Sequence, residues 1–352
     1  MCDRHGCTHL PDLKKIDFSR RNILRGASAS VITVAVGPGF GEAMAQGSTT
    51  LKGTKGTGFC NLNFYLAHAM QFAKAEGVEL QFINTPTQAE QVTFLGMGQV
   101  DLGLMPYTSF MALFDAGAPI KVVAGGGVEG CGIVSRPGLD TPQKLKGKTL
   151  ATFQLDTLEV MPYDYLKKHG VSFKDVTVRY MGNTPEAVEA FKAGAVDWIC
   201  TIEPYVTSLV NDVKGAHLLS DGKDLYGPGY TDCVLTCGER LIKENKKGLK
   251  AIIKAMMQAQ LMAETEQQAT LDKLVGPYYK TSMENAKFAM SKQPAIVDAR
   301  NQTKFILERT DSLVEMGYIK KKPTLAAIDW GPLEEVIKEN ADLYGKLKHK
   351  AA

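Results

Sequence analysis

No apolar run in this 352-residue chain reaches the roughly 18 residues that a membrane-spanning helix needs, so no spanning segment is expected. The formal net charge is only +3, and a chain without a basic excess is not expected to bind nucleic acid. Among seven cysteines there is no C-x-x-C pair, which removes the usual zinc-ribbon and dithiol-redox spacings. The most glycine-dense run, Gly125-Gly126-Gly127-Val128-Glu129-Gly130-Cys131-Gly132, is not followed by Gly-Lys-Ser/Thr or by a helix, so it is not a phosphate loop. It reads as backbone crossing between two bodies, where Gly lets a strand bend or a ligand approach. No Ser-His-Asp or Cys-His pairing stands at recognisable spacing. His68 lies two turns after Cys60 and reads as a surface or packing residue.

What is present is an echo. Gln88 to Tyr107, QAEQVTFLGMGQVDLGLMPY, and Asn183 to Tyr205, NTPEAVEAFKAGAVDWICTIEPY, each run helix, Gly-x-Val-Asp, apolar run, Pro-Tyr. The glycines close the helices, because Gly enters the left-handed cap conformation without a Cβ penalty. The apolar runs have the length and composition of buried strands in a parallel sheet. In such sheets ligands bind beyond the carboxyl ends of the strands. The two copies therefore predict two α/β lobes, each with a polar strand-end rim.

Residues 1–45 read as a targeting segment. Ser19-Arg20-Arg21-Asn22-Ile23-Leu24-Arg25 is a twin-arginine signature, followed by the weakly apolar Ala27 to Phe40 and the cleavage pattern Ala43-Met44-Ala45. This predicts a periplasmic protein exported by the twin-arginine machinery. Cys2, His5, Cys7 and His9 fall in that leader, which offers no scaffold for a metal. The chain beyond it carries 35 Lys+Arg against 34 Asp+Glu and the odd set Cys60, Cys131, Cys200, Cys233 and Cys237, which leaves at least one free thiol or an unusual use.

The periodicity predicts a first strand ending near Thr57, a helix Tyr65 to Glu76, a strand Glu79 to Asn84, a helix Ser109 to Ala116 and a strand Ile120 to Ala124. A second α/β region opens at Leu139, with strands Thr149 to Phe153 and Val176 to Met181 around a helix Leu158 to His169. Tyr230 to Thr236 reads as a returning strand. After it come helices, Arg240 to Glu264 and Ala295 to Met316 the longest. Met256, Met257 and Met262 on the first of these read as core rather than as a soft-metal site.

Four segments, Leu95 to Asp101, Leu139 to Leu150, Ala190 to Tyr205 and Met316-Gly317-Tyr318-Ile319, give the chain its family look. It resembles a periplasmic substrate-binding protein of the ABC importers, in the group that includes the sulfonate, taurine, nitrate, bicarbonate and thiamine-precursor binders. The resemblance implies a two-lobed α/β fold of the type II periplasmic binding protein class, each lobe a mostly parallel sheet flanked by helices, with two crossing segments and a helical C-terminal region. It implies residues 46–131 and 232–352 in the first lobe and 132–231 in the second. It further implies a monomer that closes on a small-molecule ligand and delivers it to an inner-membrane permease.

By position, the cleft is expected to be lined by Phe59, Cys60, Asn61, Tyr107, Thr108, Glu129, Gln154, Asp156, Thr157, Asn183, Thr184, Glu203, Tyr205 and Asp232. These rims hold four carboxylates and no Arg, which disfavours a strong anion and favours a neutral or amine-bearing organic molecule, with Phe59 or Tyr107 as a stacking platform. Two other readings stay open. Cys60, Cys131, Cys200 and Cys233 could gather around a soft metal or metal complex. The family fold also includes a pyrimidine synthase, although the chain lacks a clustered Cys motif of that kind. No cofactor is expected, and a binding protein rather than an enzyme is the favoured reading.

Overall fold

The computed structural model describes residues 49–351. The leader, with its twin arginines and its Cys/His group, lies outside the described residues. Ten strands are found among the described residues: β1 (Thr49–Thr54), β2 (Val78–Ile83), β3 (Leu102–Pro106), β4 (Ile120–Gly125), β5 (Cys131–Ser135), β6 (Thr149–Thr152), β7 (Thr177–Tyr180), β8 (Trp198–Ile202), β9 (His217–Ser220) and β10 (Cys233–Gly238). They form two five-stranded sheets, in the orders β2-β1-β3-β10-β4 and β7-β6-β8-β5-β9. In each sheet the strand that has just arrived from the other, β10 or β5, takes the fourth place and runs antiparallel to both neighbours. The two sheets thus share one topology. β3, β5 and β8 are buried at every residue, as expected of strands covered on both faces. The edge strand β9 went unread in the sequence because it is short and largely exposed.

Six helices begin just beyond the carboxyl ends of strands: α1 (Leu62–Ala69), α2 (Gln88–Gly96), α3 (Tyr107–Asp115), α4 (Thr157–Lys168), α5 (Thr184–Lys192) and α6 (Tyr205–Asp212). Their starts are fixed locally. Thr87 and Glu90 form a capping box on α2, Asp156 Oδ1 accepts the Leu158 N–H at 2.9 Å, and Asn183 Oδ1 accepts that of Glu186 at 3.0 Å. Each bond satisfies a helix-end donor that would otherwise be unpaired.

The sequence echo has a structural counterpart. Gly98 and Gly194 adopt φ of 69° and 79° and stop α2 and α5. The Asp101 N–H then donates to Lys52 O at 2.9 Å while Asp101 Oδ2 accepts the Lys52 N–H at 2.8 Å. Asp197 repeats both bonds with Thr149, at 2.9 and 2.8 Å. Each aspartate therefore clamps its strand to the first parallel strand of its own sheet.

The chain leaves the first sheet through Gly126 to Gly130 and returns through Tyr230 to Asp232. The two crossings pair with one another: the Glu129 N–H donates to Tyr230 O at 2.8 Å and the Asp232 N–H to Gly127 O at 3.1 Å.

Two helical expectations are corrected. Arg240 to Glu264 is split at Asn245, whose side chain caps a new helix, α7 (Lys246–Thr265), by accepting the Gly248 N–H at 3.0 Å. The first part of Ala295 to Met316 is extended, because it lies against the glycine run: Ile296 N–H donates to Gly126 O at 2.7 Å and Gly125 N–H to Val297 O at 2.8 Å. A Cβ on Gly125 would sit 2.3 Å from Ile296 O. Helix resumes only at Arg300, as one 3₁₀ turn that leads into an α-helix at Thr303.

Candidate functional site

The carboxyl ends of the parallel strands of both sheets face one cleft, and the two lobes touch directly across it. Thr57 Oγ1 lies 2.6 Å from Thr184 Oγ1. The Gln88 side-chain amide donates to Asp156 Oδ2, and its backbone N–H to Gly182 O at 3.0 Å. Thr108 and Ser109 hydroxyls donate to Leu155 O at 3.0 and 2.8 Å, which Leu155 presents from a left-handed conformation, φ 63°. The Phe59 N–H donates to Glu203 O at 2.8 Å. The lobes are in contact here. Between these contacts lies a cavity of about 30 Å³ bounded by Thr57, Cys60, Asn61, Gln88, Gln91, Asp156, Thr184, Asp232 and Cys233 among others, enough for an ion or one to two waters.

The floor of that cavity is a buried cluster of thiols and carboxylates. Cys233 Sγ lies 2.9 Å from Cys60 Sγ and 3.1 Å from Asp232 Oδ2, and Asn61 Nδ2 donates to Cys60 Sγ at 3.2 Å. The Cys131 thiol and the Thr157 side chain also lie beside the Asp232 carboxylate. One buried oxygen here, Asn61 Oδ1, has no hydrogen-bond partner. Among the described residues no Lys or Arg lines the cavity.

Burial without a counter-cation sets the protonation states. It pushes the Cys60 thiol up to about 11 and the Cys131 and Cys233 thiols well above their ordinary value. It raises Asp232 to about 6, even though the neighbouring thiols hold that value down. Asp156 is raised well above the carboxylate range by burial, with Asp232 adding repulsion. At neutral pH the free thiols are neutral, and a neutral thiol is not a nucleophile.

The sequence-predicted residues divide. Cys60, Asn61, Asp156, Thr184 and Asp232 bound the cavity, with Thr157 and Cys131 beside Asp232. Thr108 and Asn183 hold the rims, the latter reaching Pro86 O at 3.4 Å across the cleft. Gln154 is half-buried on the turn before α4. Phe59 and Tyr107 are corrected: both are core residues, Phe59 with its ring 4.6 Å from that of Tyr279 and Tyr107 5.7 Å from Phe305. Turning a ring inward at a helix start buries a large apolar area, so neither is a stacking platform. Tyr205 likewise packs in the second lobe's core. Cys200 is buried in β8 within the same core and is not among the floor thiols.

The structure places Glu129 and Glu203 on a second cavity of about 250 Å³, shared with Cys131, Val206, Leu218 and Lys223 and, from the other lobe, Phe288 and Lys292. There Glu129 pairs with Lys223 at 3.0 Å, and Glu203 accepts the Thr207 N–H and hydroxyl at 3.0 and 2.9 Å. Burial raises Glu203 to about 7. A groove of about 420 Å³ near Asp101, Ile120 and Arg240 lies at the amino ends of the strands, away from the ligand face of such sheets.

Thr57, Gln88 and Gln91 escaped the sequence reading. The signal for Gln88 was available: the Thr87-x-x-Glu90 capping box places it in the first turn of a helix that starts at a strand's carboxyl end.

A family model described as NMT1/THI5 like matches residues 61–269. No curated protein matches the chain. The fold is similar to the periplasmic nitrate-binding protein of Synechocystis PCC 6803, with TM-score 0.72 and 15% identity over 86% of this chain and 91% of that one. It is also similar to the alkanesulfonate-binding protein of Xanthomonas axonopodis pv. citri bound to MOPS, with TM-score 0.65 and 19% identity over 76% and 92%. A third likeness is the ligand-binding component of an ABC-type import system from Staphylococcus aureus with zinc bound, with TM-score 0.70 and 13% identity over 82% and 98%. These likenesses establish the two-lobed periplasmic binding protein fold.

Proposed function

The chain belongs to the NMT1/THI5-like family, and from that premise we propose that it is the periplasmic solute-binding component of an ABC importer. It captures a small solute in the cleft between lobes 46–131 plus 232–352 and 132–231, closes about the two crossings, and presents the closed form to an inner-membrane permease. The twin-arginine leader directs its export. The observation that carries this reading is the cleft itself: polar side chains from both lobes meet across it at helix starts, Thr57 with Thr184 and Gln88 with Asp156. Hydrogen bonds between rigid bodies joined by two strands are what a hinge-closing binder makes and breaks. The solved relatives named for nitrate and alkanesulfonate binding support the class, but not an anionic ligand here. A floor of two carboxyl groups and three thiols, with no Lys or Arg among the described residues bounding it, offers an anion no cationic partner and suits a neutral or cationic solute.

The reading is tested by native mass spectrometry of the protein purified from its own periplasm. A stoichiometric small-molecule adduct, released on denaturation and lost in Gln88→Ala, is expected. Product formed catalytically from pyrimidine precursors would overturn it in favour of an enzyme.

A further inference from the structure

The geometry points to a zinc site at the cleft floor, with Cys60 Sγ, Cys233 Sγ and an Asp232 carboxylate oxygen as ligands. These three donor atoms lie within 4.8 Å of one another, and all three residues are buried. They come from separate places in the chain, α1's approach and the start of β10, and are brought together by the fold alone, which is why no ligand spacing marks them in the sequence.

The donor set chooses the metal. Two thiolates select a thiophilic ion, and a carboxylate oxygen as third ligand suits Zn²⁺ better than Cu⁺. In tetrahedral coordination at about 2.3 Å the two sulfurs stand roughly 3.7 Å apart. The present 2.9 Å therefore has to widen by less than about an ångström. Three protein ligands leave one position of the tetrahedron for water or a solute donor atom. The cavity of about 30 Å³ beside the cluster has room for that water. The unpartnered Asn61 Oδ1, on a residue that bounds the cavity, is an acceptor that such a water can satisfy.

Charge is compatible with the same occupant. The floor gathers the carboxyl groups of Asp232 and Asp156, both buried, and among the described residues no Lys or Arg bounds the cavity. Nothing there repels a divalent ion. Binding balances as Zn²⁺ displacing one proton from each of the two thiols, so metal uptake releases about two protons per ion. Gly127 lets the crossing segment lie against this floor, since a Cβ there would be 2.4 Å from that of Cys60.

The inference goes beyond the solute-binding reading and does not require it, because zinc uptake is measured on the isolated chain and transport is not involved. The test uses the full chain, reduced and metal-free under anaerobic conditions, titrated with zinc chloride against a chromophoric chelator. One ion per chain is expected, with release of about two protons. Cys60→Ser and Cys233→Ser should each weaken binding by about a hundredfold or more, and Cys237→Ser, a core thiol outside the cluster, should leave it unchanged. Cobalt substitution gives a readout independent of variant folding: a sulfur-to-cobalt charge-transfer band is expected in the wild type. Absence of that band, or zinc uptake unaltered in both folded serine variants, would overturn the site.

Discussion

Thr57 Oγ1 stands 2.6 Å from Thr184 Oγ1, a hydroxyl pair in which one lobe meets the other at the start of an echoed helix. Gln88 and Asp156 make a second such pair beside it. A net hydrogen bond is worth roughly 1 kcal/mol, so Gln88→Ala with Thr57→Ala should move the open-to-closed ratio by about tenfold or more. The apparent solute affinity falls by the closed fraction lost. Small-angle scattering of the double variant should show a larger radius of gyration. An unchanged curve, with unchanged affinity, would mean that these contacts do not hold the cleft shut.

The glycine run can be tested one residue at a time. A Cβ on Gly127 would lie 2.4 Å from Cys60 Cβ and 2.5 Å from its Cα, a collision with backbone that no rotamer relieves. Gly127→Ala should cost about 1–3 kcal/mol or more, as overpacking does, seen as a lowered denaturation midpoint. Gly345→Ala, where nothing lies within 4 Å of the new methyl, should stay within about 0.5 kcal/mol of the wild type. Equal midpoints for the two would remove close packing as the reason for the glycines.

Glu203 makes stability depend on pH. Its folded value is raised by burial from 4.5 to about 7, so in that window the folded state holds a proton that the unfolded state has released. Stability is therefore greatest below about pH 4.5 for this group and falls as pH rises to about 7, by roughly 3 kcal/mol at most. Glu203→Gln should flatten that part of the profile. Urea midpoints measured from pH 5 to 8 decide it, and a wild-type profile with no extra slope over the variant would refute the assignment.

Much of this fold could be read from periodicity, because β3, β5 and β8 are short apolar runs and α2, α4 and α5 carry their own caps. The rim was legible for the same reason: strand ends and helix starts are local events, so Asp156 and Thr184 were placed from the sequence. Side-chain direction was not. Phe59 and Cys60 are neighbours in sequence, yet the ring turns into the core against Tyr279 while the thiol meets Cys233, 173 residues away. Only the packing of the returning strand decides that. The extended path of residues 294–297 was equally hidden, since its pairing partner is a glycine run whose lack of side chains leaves no pattern.

The duplicated aspartates allow a sharper test of the two-lobe architecture. Asp101 and Asp197 each exchange two hydrogen bonds with the first parallel strand of their own sheet, and Asp101 has in addition a long ion pair with Arg240 at 3.6 Å. The Arg240 side of that long pair is exposed, so the pair adds little. Replacing either by Ala leaves a strand N–H without its carboxylate acceptor, so each substitution should cost about 1–2 kcal/mol. The two sites belong to different sheets and share no partner. Their costs should therefore add within about 0.5 kcal/mol in Asp101→Ala/Asp197→Ala. Chemical denaturation of the two single variants and the double variant closes the cycle. A coupling well above that value would mean that the two clamps act through one cooperative unit spanning the cleft, and the picture of two similar lobes, each clamped within itself, would fail.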